Sequence, residues 1–138
     1  MSNTSGATVV VSTLAFEDTL QSLIDGLSRR GIEIFGRIDH LESARDIGVA
    51  VNAKAVVVFG VAKAGTPLMQ TNRSLGLDMP LRALVYEDGG AQVFIAYNEP
   101  GWITKPRDLP PEAIASLPGM TKLLETVVAE AAGGAPTA

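Results

Sequence analysis

The spacing of hydrophobic residues divides the first half of the chain into alternating strands and helices. Residues Ala7 to Ser12 form a valine-rich run of strand length. From Phe16 onward the apolar residues recur at helical intervals, which predicts an amphipathic helix that ends at Gly31. Partial alternation predicts a strand with one solvated face from Ile32 to Ile38. A short helix from Leu41 to Ile47 is expected to follow, capped by one of the two residues before it.

The second half continues with extended runs and two further helices. The continuous apolar run from Ala55 to Phe59 is typical of a central strand. The runs from Leu81 to Tyr86 and from Gln92 to Tyr97 are joined by a turn sequence and therefore predict a hairpin. The remainder is expected to be helical, first from Pro111 to Ser116 and then from Met120 to Ala132.

Prolines mark two further boundaries in this pattern. Thr66 followed by Pro67 is typical of a helix start, with Thr66 as the N-cap, and this helix is expected to run to Ser74. The pair Pro118-Gly119 is expected to separate the last two helices.

The order of these elements predicts an α+β fold. We expect a single two-layer domain in which a mixed sheet of about five strands packs against helices. The chain of 138 residues is 46% hydrophobic, enough to bury one core. The expected divisions are a flexible N-terminus at 1–6, one domain at 7–132, and a flexible tail at 133–138.

Composition narrows the classes of function. The absence of cysteine excludes disulfides, thiolate metal sites and cysteine nucleophiles. Fifteen acidic residues outnumber eleven scattered basic residues, so no concentrated positive face is expected for nucleic acid. No apolar run reaches the roughly 20 residues that span a bilayer, and no secretory pattern opens the chain. We therefore expect a cytoplasmic protein that binds neither nucleic acid nor membrane.

His40 is the single histidine and the first candidate for chemistry. Two interpretations stand beside each other: a loop residue that bonds backbone next to a helix cap, or a residue that ligates or transfers a proton. Thr66 offers the same choice, because the first N–H groups of a helix attract anions but are more often simply capped. Asp39 and Asp78 are carboxylates in turns, where bonding to neighbouring backbone is the alternative to acid–base catalysis.

Methionines and aromatic residues surround the same loop-rich segment. Met69 and Met79 flank it, Asn72 lies within it, and Tyr86 follows in the hairpin. These side chains predict either a core or subunit contact, or an apolar pocket in which a few polar groups orient a flat ligand.

Five motifs in this order resemble a known family, the domain of unknown function 302, over roughly Phe16 to Pro100. They are Ile38-Asp39-His40, the strand that ends at Phe59-Gly60, Gly65-Thr66-Pro67-Leu68-Met69, Gly76-Leu77-Asp78-Met79-Pro80-Leu81 and Tyr86-Glu87-Asp88. The chain departs from the pattern at Ile38, where an aromatic residue is usual, and at Arg73, where proline commonly follows asparagine.

The resemblance implies a small α+β domain that forms a homodimer. Some members of that family are linked to haem held between two subunits through histidine, which makes His40 the candidate axial ligand here, with one imidazole from each chain on the iron. The resulting hypothesis is a dimeric protein that binds haem or another small apolar or anionic ligand. The alternatives are an enzyme that uses His40 and Asp39 in proton transfer, and a non-catalytic interaction module. The predicted cofactor contacts are His40, Thr66, Met69 and Met79, with Asp39, Asn72, Asp78 and Tyr86 as predicted substrate contacts.

Overall fold

An antiparallel five-stranded sheet forms the centre of the molecule. The computed structural model describes residues 6–60, 62–79, 81–105 and 108–134, so most of the expected flexible ends lie outside the described residues. The sheet order is β1-β5-β4-β3-β2. The strands are β1 (Ala7–Ser12), β2 (Glu33–Asp39), β3 (Lys54–Gly60), β4 (Leu81–Glu87) and β5 (Val93–Asn98).

The α+β class and the number of strands are confirmed. The sheet differs from the mixed sheet that was expected, because all four pairings between the described strands are antiparallel. Strands that are neighbours in sequence from β2 to β5 also pair in space, which lets short connections reverse the chain without a parallel crossover.

Six helices accompany the strands in the described part of the chain, together with a 3₁₀ turn at Arg73–Leu77. The helices are α1 (Phe16–Arg29), α2 (His40–Asp46), α3 (Ala62–Thr71), α4 (Pro100–Thr104), α5 (Pro111–Ile114) and α6 (Leu117–Ala131). Sequence spacing did not predict α4. The expected break at Pro118-Gly119 is wrong, because both residues lie in the first turn of α6, where proline loses no intrahelical hydrogen bond.

The start of α3 also corrects the sequence interpretation. The helix begins at Ala62, so Thr66 is not an N-cap and Pro67 lies inside the helix. The alanines at 62 and 64 favour helix strongly enough to extend it upstream of the residues that resemble a capping signal. The proposed anion-binding helix start at Thr66 therefore has no structural basis, because the free N–H groups of a helix belong to its first turn.

Helix α1 covers one face of the sheet with its apolar stripe. Phe16, Leu20, Leu23 and Leu27 are buried along this stripe, and the helix ends before Gly31, whose φ of 72° suits glycine. Helix α6 packs beside α1 and adds a second apolar stripe to the same layer.

Alternation along the strands gives the sheet two different faces. On the side of α1 and α6, here called the covered face, side chains are fully buried and belong to the main core. They include Ala55, Val57, Phe59, Ala83, Val85, Val93, Ile95 and Tyr97. The opposite side, here called the open face, carries only partly buried side chains at its centre. These are Val9, Val56, Val58, Leu84, Phe94 and Ala96.

A second, smaller cluster lies away from the main core. It is built on Leu68, Leu75 and Ala113, so it joins α3, the 3₁₀ turn and α5. Partly buried side chains complete it: Met69, Met79, Leu109, Leu117 and Met120.

Candidate functional site

His40 is the first residue of α2 and follows directly on the edge strand β2. Asp39 is the N-cap: its Oδ1 accepts a hydrogen bond from the Glu42 N–H at 3.0 Å. The Ser43 hydroxyl donates to the Asp39 carbonyl at 3.3 Å. The expectation that one of these two residues caps a short helix is confirmed, with Asp39 in that role. The cap fixes the direction in which α2 leaves the strand and thus the position of the imidazole.

The imidazole of His40 lies on an exposed and largely apolar surface. Helical spacing places Ala44 and Ile47 on the side of α2 that carries His40, and Ile47 is 77% exposed. Ile38 of β2, two residues before His40, is about half exposed. Among the described residues, no hydrogen bond or ion pair engages the imidazole. Both ring nitrogens are therefore accessible to a ligand. We call this surface the His40 surface; it consists of Ile38, His40, Ala44 and Ile47.

A shallow depression of about 480 Å³ lies beside this surface. It is lined by Arg37, Ile38, Asp39, Glu42, Ser43 and Asp46. An Arg37 Nη2 atom lies 3.8 Å from Asp39 Oδ2, a distance at the limit of an ion pair. Within the described part of the chain, no group of three or more His, Cys, Asp or Glu side chains is arranged to hold a metal ion. The depression is therefore polar and acidic, whereas the adjoining His40 surface is apolar.

Tyr86 lies at the same end of the sheet as His40, on the open face. Its ring stacks on Phe94 with 5.2 Å between centroids. Tyr86 pairs with Lys54 of β3, and the next residue of β3, Ala55, pairs with Asp39. The phenol is therefore two strands away from the edge that carries His40.

The remaining predicted site residues lie at the opposite end of the sheet. Met69 and Met79 come together, but in the small cluster under α3 and α5. Leu81, two residues after Met79, pairs with Phe59, whereas His40 follows the residue that pairs with Ala55. These two levels are separated by about 13 Å of strand.

Three further predicted site residues lie at that far end, each within a short local element: Asn72, Asp78 and Thr66. Asn72 Oδ1 caps the 3₁₀ turn by accepting from the Ser74 N–H at 3.1 Å and the Ser74 hydroxyl at 2.7 Å. Asp78 ends the turn, and its N–H donates to the Leu75 carbonyl at 3.0 Å. Thr66 is exposed inside α3. Within one chain, the structure therefore does not bring these residues, or the two methionines, to His40.

Sequence reasoning missed a run of exposed apolar residues that follows α2. Ile47, Val49 and Val51 follow α2 in a loop that has no alternation or helical spacing, and all three are exposed. The signal was available as a short apolar run next to Gly48, which has a φ of 74° and ends the helix. Such a run in a loop indicates a contact surface when it lies beside a polar group with no partner.

A second depression of about 400 Å³ lies between α4, α5 and α6, on another side of the molecule. Its lining residues are Glu99, Gly101, Ile114, Leu117, Pro118, Thr121, Lys122 and Glu125. Two of these carboxylates act on Tyr97: burial raises the pKa of its phenol above the ordinary 10.0, and the charges of Glu99 and Glu125 raise it further. This depression contains none of the predicted site residues.

Comparison with known proteins identifies the family. The family model described as "Domain of unknown function DUF302" matches residues 7–127. The crystal structure of an uncharacterized conserved DUF302 protein from Bacillus stearothermophilus has the same fold, with a TM-score of 0.70 at 14% sequence identity. The alignment covers 93% of this chain and 96% of that one.

Curated relatives are longer than this chain. The fluoride-specific ion channels FluC 1 of Brucella suis biovar 1 (strain 1330) and of Brucella abortus biovar 1 (strain 9-941) are each 32% identical to it over 129 residues. The match includes 94% of this chain but 51% and 48% of those proteins, so the chain spans about half of their length. In the part of the chain that the structure describes, no helix has the length and apolar character needed to cross a bilayer.

Proposed function

The chain belongs to the DUF302 family, and from that premise we propose that it is a cytoplasmic, homodimeric small-ligand-binding protein that holds haem between two subunits through His40. The observation that carries this proposal is the exposed imidazole on the apolar His40 surface, with no partner among the described residues. A protein gains little from leaving several large apolar side chains in water around a free imidazole unless a ligand or a partner covers them.

The chemistry of the His40 surface fits haem in two respects. A neutral imidazole is a common axial ligand of haem iron, and one from each subunit supplies two. Ile38 and Ile47 provide apolar contact for a flat macrocycle, and Arg45 in the last turn of α2 provides positive charge for its carboxylates. The acidic depression next to Ile38 is unsuited to carboxylates, so we expect the propionates to point away from it. Bound haem would supply an iron centre whose potential depends on its axial ligands.

The chain's own part in this site is to position the imidazole. Asp39 caps α2 and so fixes the backbone of His40 at the junction of strand and helix. The same hydrogen bond weakens the alternative of an enzyme in which Asp39 and His40 transfer protons. The Asp39 carboxylate is occupied by the helix N–H and by Arg37, rather than by the imidazole.

Titration of the purified protein with haemin tests the proposal. We expect a sharp Soret band that saturates at one haemin per two chains, and we expect His40→Ala to abolish it. An unchanged Soret spectrum in His40→Ala would refute ligation by this residue. Gln21→Ala is the matched control, because Gln21 is exposed on α1 and its side-chain amide donates to Asp25 on the same helix.

Two further variants separate this proposal from the sequence-based site. Met69 and Met79 were predicted as cofactor contacts, yet both pack in the small cluster at the far end of the sheet. Met69→Leu and Met79→Leu preserve most of their volume and are expected to leave haemin binding unchanged. Loss of the Soret band in either variant, with the fold intact by circular dichroism, would move the ligand site to that end.

A second candidate is an interaction module, and the half-length match to proteins named fluoride-specific ion channels favours it. In this interpretation the domain binds the other half of such a protein, and it does so with or without haem. Co-expression of this chain with that half, supplied as a separate chain, tests the idea by co-purification. Recovery of the complex from His40→Ala would support the module, and failure to recover any complex from the unaltered chain would reject it.

A further inference from the structure

We infer that the ligand bound at His40 extends over the neighbouring end of the open face, where Lys54 binds one of its carboxylates and the rings of Tyr86 and Phe94 contact its plane. This inference rests on the proposed function and deepens it, because it adds three contacts on three different strands. It also names the chemistry that these contacts select, which is a planar conjugated molecule with at least one carboxylate.

Three side chains form a row across this end of the open face. Lys54 of β3 pairs with Tyr86 of β4, and Tyr86 pairs with Phe94 of β5. Their parity is that of Val56 and Leu84, so they stand on the side of the sheet that α1 and α6 leave uncovered. We call Lys54, Tyr86 and Phe94 the open-face row.

The strand register brings His40 to one end of this row. Asp39 of β2 is paired with Ala55 of β3. The residue after Asp39 is His40 and the residue before Ala55 is Lys54, so these two are level with each other in antiparallel strands. At about 4.8 Å per strand, the backbone of Tyr86 is about 10 Å from that of His40. A macrocycle bound at the imidazole therefore also reaches the row.

Two stacked aromatic rings make up most of the row. The ring centroids of Tyr86 and Phe94 are 5.2 Å apart, and the ring planes are inclined by 23°. Both side chains are only partly buried. The Tyr86 phenol forms no hydrogen bond within the part of the chain that the structure describes. A conjugated plane gains stacking and dispersion energy against such rings that it does not gain against aliphatic side chains.

Lys54 supplies a positive charge that no acidic side chain neutralises. None of the ion pairs between described residues includes Lys54. Glu87, the residue after Tyr86, has the parity of the covered face. Asp88 Oδ1 accepts hydrogen bonds from two N–H groups of the hairpin turn, at 2.8 and 3.0 Å. A free ammonium group beside apolar rings attracts a carboxylate that is attached to an apolar body.

The surroundings confine the ligand to this end of the open face. On the other side of β2, the depression lined by Asp39, Glu42 and Asp46 repels an anion. Towards the far end of the sheet, the exposed Arg82 has the same parity as Tyr86 but is four residues away along β4, or about 13 Å.

The open-face row is half of a site. In the homodimer of the proposed function, each subunit brings one His40 to the ligand, so the same end of both sheets meets around it. Each subunit then covers one side of the macrocycle with its own Tyr86 and Phe94. This arrangement accounts for rings that are only partly buried in a single chain.

Titrations with three porphyrins test the charge at Lys54 and the imidazole separately. Haemin has iron and carboxylates, haemin dimethyl ester has iron but no free carboxylate, and protoporphyrin IX has carboxylates but no iron. We expect Lys54→Gln to weaken haemin and protoporphyrin IX about tenfold and to change the affinity for the ester less than twofold. Arg82→Gln is the matched control, because it removes an equal charge from the same face and should leave all three affinities unchanged.

A second variant tests the aromatic rings. Tyr86→Leu should weaken all three porphyrins about three- to tenfold, because each of them presents the same conjugated plane. Trp102→Leu is its control, since Trp102 is a partly exposed aromatic residue on α4, which follows the far end of β5. If Tyr86→Leu does not fold, the Lys54→Gln titrations decide the inference alone, because they change a side chain that is not fully buried.

The outcomes separate this inference from ligation by His40. Unchanged porphyrin affinities in Lys54→Gln and Tyr86→Leu, with the Soret band lost in His40→Ala, would overturn the inference and leave the proposed function standing. An unchanged Soret spectrum in His40→Ala, with protoporphyrin IX fluorescence still sensitive to Lys54→Gln, would support the row and refute ligation. An unaltered chain that binds none of the three porphyrins would overturn both.

Discussion

The two faces of the sheet are made from alternate residues of the same strands, yet they differ sharply in burial. On β4 and β5, Val85 and Ile95 of the covered face are 0% exposed. Their neighbours Leu84 and Phe94 on the open face are only partly buried. Because both sets are apolar, residue type does not cause the difference. It arises because helices α1 and α6 lie on one side only.

This comparison shows that the sequence contains more apolar surface than one chain buries. A sheet with one solvated face normally alternates apolar and polar residues. Here β3 reads Lys-Ala-Val-Val-Val-Phe-Gly, which is the pattern of a strand covered on both sides. The described helices of a single chain cover only one side of that strand.

The largest expected contrast is between truncations on the two faces. Ile95→Ala creates a cavity in the main core and should reduce the free energy of unfolding by about 2–5 kcal/mol. Leu84→Ala, measured in dilute protein, should cost about 1 kcal/mol or less because the Leu84 side chain is only partly buried. Urea denaturation at low and high protein concentration measures both. Equal losses for the two variants in dilute protein would show that the faces are packed alike.

A smaller loss of stability is expected when the polar contact between Glu130 of α6 and the arginines that end α1 is removed. Glu130 of α6 is buried and accepts hydrogen bonds from the guanidinium groups of Arg29 and Arg30. The distance from Arg29 Nη2 to Glu130 Oε1 is 3.3 Å. Glu130→Gln removes the negative charge that both guanidinium groups contact, and it should lower the free energy of unfolding by about 1–3 kcal/mol. The loss is limited because water still solvates Arg29, which is largely exposed. Thermal unfolding measures the loss. Glu125→Gln, on the exposed side of the same helix, is the control and should change stability by about 0.5 kcal/mol or less.

The smallest effect is a loss of stability at alkaline pH. The pKa of Tyr97, on the covered face, is raised above 10.0 by burial and then by Glu99 and Glu125. The phenol therefore ionises first in the unfolded chain, and its contribution to stability is complete below pH 10 and declines as pH rises through the folded-state pKa. Tyr97→Phe should flatten that decline in urea titrations above pH 10. The control Tyr86→Phe on the open face should keep it, and identical slopes in Tyr97→Phe and the unaltered chain would contradict the assignment.

Most of the fold was predictable because it depends on local periodicity. The helix from Phe16 and all five strands were located within a residue or two, since each has a clear apolar spacing. Helix α4 was missed because its five residues are too few to show a period. The start of α3 was misplaced because a Thr-Pro pair is typical of a helix start, while the helix propensity of the preceding alanines counts for more.

The site was less predictable than the fold because it depends on which ends of the strands meet. Asp39 was correctly identified as a possible cap, as its position before a short helix requires. The grouping of His40 with Met69 and Met79 could not be tested by spacing. An antiparallel strand between them sends the two groups to opposite ends of the sheet. Sequence order alone does not contain that information.

The strand order also has a consequence for the order of events during folding. Strands β2 to β5 pair with sequence neighbours, whereas Val9 of β1 pairs with Ala96 of β5 at the far side of the sheet. A contact between such distant segments closes a long loop and is entropically costly until the rest is in place. The first of these five strands to be synthesised is therefore expected to be the last to dock, and until it does so β5 is exposed to pairing with the wrong chain.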